Sequence, residues 1–196
     1  MLATNVYHIK FYYVLICFLV ALGSYFFCHN RRDWAWLAGG MAFTAGADYF
    51  LILHNAHLPG VAVFCFTHLC YGMRAHRFPL RRVVFVFALV GMATALCVAM
   101  DEIMALALLY ASLFAISLLL HIKHRRTLHN APLILTGLIL FALCDIFVLL
   151  YNVPRYLGIM QELRRVSPLI WLFYLPAQSL LAVSAVRFER KKIHDA

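Results

Sequence analysis

The sequence predicts an all-α fold, a polytopic transmembrane helical bundle, on three observations. Of its 196 residues, 65% are apolar and only 13% are charged, against roughly 45–50% and 25% in soluble domains. Its mean hydropathy is +0.85. Apolar runs of membrane-crossing length follow one another along almost the whole chain, which leaves no room for a soluble domain. Residues 1–196 are therefore expected to form one helical domain.

About seven spans are expected, each close to the ~17–25 residues that a helix needs to cross a bilayer. The first, Phe11 to Cys28, follows Lys10 and so imitates a signal peptide. It reads as a retained helix because the run is long and ends in bulky Phe26, Phe27 and Cys28 before Arg31 and Arg32. The second, Trp34 to His54, carries a small-residue run from Gly39 through Ala47 that suits close helix packing. Leu58 to Met73 is the shortest. Leu80 to Ala99, Ile103 to Ile122, Pro132 to Tyr151 and Pro168 to Arg187 complete the set. Short polar turns separate them, the longest running from Asn152 to Ser167.

The formal net charge of +9 invites a nucleic-acid reading, but its distribution argues for topology instead. Seven spans give one face Arg31, Arg32, Arg74, Arg77, Arg81, Arg82, Lys123, Arg125, Arg126, Arg187, Arg190, Lys191 and Lys192. The other face receives only Lys10, Arg155, Arg164 and Arg165, so the bias is thirteen against four. Positive charge collects on the cytosolic side of membrane proteins. The N-terminus is therefore expected to be non-cytosolic and the C-terminus cytosolic, with no nucleic-acid partner. His121, His124 and His129, in or beside a basic cytosolic loop, read as solvated. The six cysteines lie in or at the ends of spans without zinc-type spacing, as small buried hydrophobes would.

Two aspartates stand inside spans that are otherwise free of charge: Asp48 in the second and Asp145 in the sixth. A carboxyl group at membrane depth costs roughly 2.5–3.5 kcal/mol by insertion scales, so such residues are functional by default. Evenly drawn helices put both in the non-cytosolic half, near the depth of Tyr174, with His68 and Gln178 closer to mid-membrane and Tyr71 one turn further in. Tyr174 and Gln178, four residues apart, share a helix face. Polar groups from four spans at compatible depths are what an intramembrane pocket requires. A plainer account competes for each. A lone histidine or glutamine in a span is often a helix–helix hydrogen-bond partner, and a lone tyrosine is an ordinary bundle residue. His54 and His57 sit near Asp48 but carry no H-E-x-x-H signature, so no metal site is expected. No G-x-S-x-G elbow is present, and the seventh span has no lysine for a retinal Schiff base.

The same residues carry a resemblance. F-T-A-G-A-D-Y-F-L, Phe43 to Leu51, is similar to the F-S-x-x-G-D-x-x-L of the YhhN family of membrane proteins. G-V-A-V-F-C-F-T-H-L-C-Y, Gly60 to Tyr71, resembles that family's G-x-x-x-F-x-x-x-H-x-x-Y. G-L-I-L-F-A-L-C-D, Gly137 to Asp145, resembles G-A-x-L-F-x-x-S-D, and F-Y-L-P-A-Q-S-L-L-A-V-S-A, Phe173 to Ala185, is similar to Y-Y-x-A-Q-x-L-x-A-x-S. The four motifs occur in order over about three quarters of the chain. Ala47 and Cys144 stand where the family has glycine and serine, and Pro176 is a further departure that would bend the seventh span. The family's usual eight spans imply that its first has no counterpart here. Lys10 corresponds to a family lysine usually followed by proline; here Phe11 follows.

Characterised members of that family are lysoplasmalogenases, so the resemblance implies hydrolysis of a vinyl ether, with a lysophospholipid as substrate and no cofactor. That chemistry needs a carboxylic acid still protonated near neutral pH and a second group to serve the resulting cation, as in the glycosidase carboxyl pair. Asp48 and Asp145 would be that pair; His68 and Gln178 would position water or the departing oxygen, and Tyr71 and Tyr174 would line the wall. Lys10, Arg164 and Arg165 would meet the lipid headgroup. Three alternatives stay open: a non-catalytic lipid-binding or regulatory protein of this fold, a proton-coupled transporter, and a metal-dependent lipid hydrolase. A bacterial inner membrane and the endoplasmic reticulum both fit the topology.

Overall fold

The structure, a computed structural model, describes residues 2–75, 91, 102–157 and 167–187. Six α-helices lie among them: α1 (Leu2–Gly23), α2 (Arg31–Asp48), α3 (His57–Ala75), α4 (Glu102–His124), α5 (Ala131–Leu157) and α6 (Ser167–Val183). A 3₁₀ turn, Ser24–Phe27, follows α1, and a π-helical turn, Tyr49–Leu53, extends α2. The helices form a ring. α2 packs closely on α3, α3 on α4 and α5 on α6, while α1 closes the circle between α2 and α6. The described residues contain no strand, only an isolated antiparallel bridge between Cys28 and Val186.

Four of these helical stretches are long and apolar enough to cross a membrane: His8–Phe27, Arg31–Leu53, Glu102–His124 and Ala131–Asn152. Pro168–Val183 is a shorter apolar helix. The chain is thus a helical membrane protein, and its outward surface agrees: Ile16 and Leu19 on α1, Leu119 on α4, and Ile146 and Leu149 on α5 are exposed. α3 is helical where the third span was expected but falls short of a membrane-crossing run; it carries His57, Pro59, His68 and Arg74. The expected fourth span, Leu80 to Ala99, lies outside the described residues apart from Gly91.

Several boundaries differ from the sequence reading, and α5 runs on to Leu157, six residues past the expected Tyr151 and into the expected turn. The first helix begins at Leu2, well before Phe11, because no proline or glycine interrupts the intervening residues, so Lys10 lies inside it. The last helix stops at Val183, four residues early. Its end is drawn into the neighbouring turn: the Arg187 N–H donates to the Phe27 carbonyl at 2.9 Å, and the His29 N–H to that of Ala185 at 3.2 Å. The last helix runs on through Pro176, whose missing N–H removes one intrahelical bond.

One end of the ring, the basic one, is tied by polar contacts. Asn30 caps α2 by accepting the Arg32 N–H at 2.8 Å, a contact worth about 1 kcal/mol. Asp33, in the first turn of α2, takes a bidentate pair from Arg74 at the end of α3, 2.7 Å from Nε and 2.9 Å from Nη2. The third nitrogen of Arg74 donates to Ser184 Oγ at 2.7 Å, so one guanidinium joins α2, α3 and the chain after α6. Asn130, at φ 54°, opens α5 and donates to the Ser184 carbonyl at 3.1 Å. His129 stacks on His29 with ring centroids 4.2 Å apart. Burial and that neighbour hold its imidazole below the ordinary histidine pKa. His121 corrects the sequence reading. It is not solvated but 1% exposed, facing inward one turn from buried Ser117, whose carbonyl accepts its Nδ1–H at 2.8 Å.

Arg74 is buried, whereas the Asp33 side chain is 24% exposed. Removing the carboxylate therefore leaves an unpaired buried cation, a loss of about 3–5 kcal/mol in the enclosed limit. Asp33→Ala is expected to lower the unfolding midpoint in detergent clearly more than Asn30→Ala, which removes only a cap. Equal midpoints for the two variants would contradict the assigned role of the ion pair.

Candidate functional site

Toward the other end of the ring, the helices bring four of the sequence-predicted site residues, Asp48, Asp145, His68 and Tyr174, into one connected cluster. Asp48 is the last residue of α2, where the helix widens into its π turn. Such insertions cluster at functional positions because they turn a side chain away from its regular register. Here Leu51 of the π turn leans over Gly60 of α3, where a Cβ would meet its Cγ at 2.5 Å. Close packing of α2 on α3 has the same basis at Gly40, whose missing Cβ makes room for the Tyr71 ring.

Asp48 is 4% exposed, and its Oδ2 accepts the Tyr174 hydroxyl of α6 at 2.6 Å. Asp145, half-buried on α5, accepts the Tyr110 hydroxyl of α4 on its Oδ2, also at 2.6 Å. The two carboxyl groups share no hydrogen bond with each other; each has its own tyrosine. Cys144 stands within electrostatic range of both.

A wall of aromatic rings connects the two pairs. Phe141 on α5 lies 5.5 Å from Tyr174 and 5.4 Å from His68, centroid to centroid. His68 on α3 is in turn 4.9 Å from Tyr110 and 4.5 Å from Phe114. Each well-placed ring pair contributes about 0.5–1.5 kcal/mol beyond its buried area, so the wall is a rigid mount. The path Asp48–Tyr174–Phe141–His68–Tyr110–Asp145 is continuous.

Two further polar side chains are fully enclosed. His68 is 1% exposed and Gln178 0%. Neither ring nitrogen of His68, and neither Nε2 nor Oε1 of Gln178, has a hydrogen-bond partner among the described residues. Most buried polar atoms are paired, so four unpaired ones in two side chains call for a functional explanation. The helix–helix glue reading of these residues requires a protein partner for each, and none of the described residues supplies one.

Other expected residues stand apart. The Tyr71 hydroxyl donates to Met41 Sδ at 3.3 Å, and its ring meets His68 only at 6.1 Å. Lys10 holds its Nζ 4.1 Å from the centre of the Trp171 ring, a cation–π contact between α1 and α6. Arg164 and Arg165 lie outside the described residues. Among the described residues, no three His, Cys, Asp or Glu side chains converge as metal ligands would. The sequence reading missed Tyr110. A tyrosine in an apolar span is unremarkable alone, and only its register against Asp145 could have singled it out.

The geometry can hold two carboxyl groups at defined orientations, with an imidazole and a carboxamide between helices, in a setting that excludes bulk water. It suits acid–base chemistry on an uncharged group within a chain-bearing molecule. No curated protein and no solved structure matches the chain. The pattern of the YhhN family, however, matches residues 7–185, which include every helix that contributes to the cluster. The chain therefore belongs to the YhhN family.

Proposed function

We propose that this protein is a membrane-embedded hydrolase that cleaves the vinyl-ether bond of lysoplasmalogens, releasing a fatty aldehyde and a glycerophospho-base. The observation that carries the reading is the pair of tyrosine-bonded carboxyl groups joined by an aromatic wall to His68, with Gln178 fully buried and unpartnered. Family membership supports it.

The reaction begins with a carboxylic acid protonating the β-carbon of the vinyl ether, which leaves an oxocarbenium ion. The second carboxyl group, as carboxylate, faces that positive charge. Water then adds to the α-carbon and gives up a proton, forming a hemiacetal. The hemiacetal collapses as its hydroxyl loses a proton and the departing glycerol oxygen gains one. The sum is one water consumed, one aldehyde and one alcohol formed. Asp48 and Asp145 supply the two carboxyl groups, by the division of labour found in glycosidases. His68 and Gln178 orient the water and the departing oxygen, and Tyr71 backs the wall from behind His68. Lys10, Arg164 and Arg165 are assigned to the headgroup of the lysophospholipid.

The substrate enters from the bilayer, and neither a cofactor nor a nucleic acid has a part. We place the protein as a seven-span bundle with its N-terminus non-cytosolic and its C-terminus cytosolic, supported by the thirteen-to-four charge bias. Either a bacterial inner membrane or the endoplasmic reticulum would accommodate it.

A positioned acid or base contributes about 10²–10⁴ in rate. Asp48→Asn and Asp145→Asn are each expected to lower aldehyde release by that order while the detergent-purified bundle keeps its helicity. Near-normal turnover in both variants would sink the mechanism. His68→Phe separates function from packing, because it keeps a ring in the aromatic wall and removes both nitrogens. Turnover should fall roughly tenfold or more, a barrier increase of about 1.4 kcal/mol; an unchanged rate would reduce His68 to a packing residue.

A further inference from the structure

We infer that Tyr110 is a positioning residue, fixing which oxygen of Asp145 exchanges a proton during hydrolysis. The inference rests on the hydrolase reading above and extends it to a residue outside the matched motifs. Of the described tyrosines, Tyr110 alone touches both a site carboxyl group and the His68 ring. Its hydroxyl donates to Asp145 Oδ2 at 2.6 Å. Its ring meets His68 at 4.9 Å and 67°, and Phe64 at 5.9 Å and 65°, both edge-on. The ring is thus locked from two sides while the hydroxyl reaches across from α4 to α5, a separation of 35 residues in sequence.

The consequence is directional. An oxygen that accepts a strong hydrogen bond is a poor site for a proton, so the neutral carboxyl group of Asp145 carries its proton on Oδ1. Oδ1 is then the atom that gives a proton to carbon, if Asp145 is the acid, or takes one from water, if it is the base. Tyr110 transfers nothing. It keeps its own proton throughout and forms or breaks no covalent bond. Holding the reacting oxygen to one orientation is the kind of contribution that appears in kcat, not in substrate affinity.

Tyr110→Phe removes the hydroxyl and leaves the ring against His68. The experiment compares purified wild type, Asp145→Asn and Tyr110→Phe in detergent. The readouts are aldehyde release from a vinyl-ether lysophosphocholine and the infrared carbonyl band of Asp145, identified by its loss in Asp145→Asn. In Tyr110→Phe the band should move to higher frequency, as its acceptor oxygen loses a donor. kcat should fall at least about tenfold with KM nearly unchanged, the signature of a contact expressed in the transition state. In wild-type protein made with 3-fluorotyrosine, a stronger donor, the same band should move to lower frequency, a readout that does not depend on the variant's folding. A band unmoved by either change overturns the inference. So does wild-type kcat in Tyr110→Phe when Asp145→Asn is dead, and that result leaves the hydrolase reading standing. Wild-type protein that releases no aldehyde, or a fully active Asp145→Asn, removes the hydrolase reading and this inference with it.

Discussion

The interior around the candidate site answers to the cost of holding two carboxyl groups away from water. That cost is roughly 2.5–3.5 kcal/mol for each at membrane depth. A hydrogen bond from a tyrosine hydroxyl returns about 1 kcal/mol when the acceptor is neutral and about 1.5–3 when it is charged. One such bond at 2.6 Å to each aspartate therefore offsets a large part of the burial without cancelling it. What is left over is sustained by packing. The phenols come from α4 and α6, and their rings are held by the same wall that encloses His68.

The two ends of the ring solve different problems. At the basic end, charge is matched to charge: Arg74 meets Asp33 and Ser184, and Asn130 pins the start of α5 to the residues after α6. Those contacts fix helix ends, although Ser117 Oγ and the Nε2 atoms of His121 and His129 have no partner there among the described residues. At the other end each carboxyl group accepts from a tyrosine hydroxyl, Asp48 from Tyr174 and Asp145 from Tyr110. The ties at the basic end hold α2 and α5, the helices that carry the two carboxyl groups.

The sequence made much of this legible because charge inside an apolar run is conspicuous. Asp48, Asp145, His68 and Gln178 could be named from residue type and depth alone, and the structure sets them on helices that share one interior. Tyr110 could not be named, because its meaning lies in a partner on another helix. The π turn after Asp48 was equally silent, depending on Leu51 fitting over the bare backbone of Gly60. His121 was misread through its sequence neighbours, the basic residues from Lys123 onward. Helical spacing gave the better signal: Leu113, Ser117 and His121 fall four apart and are all buried. The third helix, the shortest of the expected spans, has too polar a composition to stand among the clear membrane-crossing helices, and it packs between α2 and α4.

The central claim is that a protein acid adds a proton to carbon within this cluster. Turnover of a vinyl-ether lysophospholipid in heavy water, with the aldehyde reduced as it forms, reads that step directly by mass spectrometry. The account predicts one deuterium at the carbon next to the former carbonyl. No aldehyde, or an aldehyde whose adjacent carbon carries only protium, would contradict it.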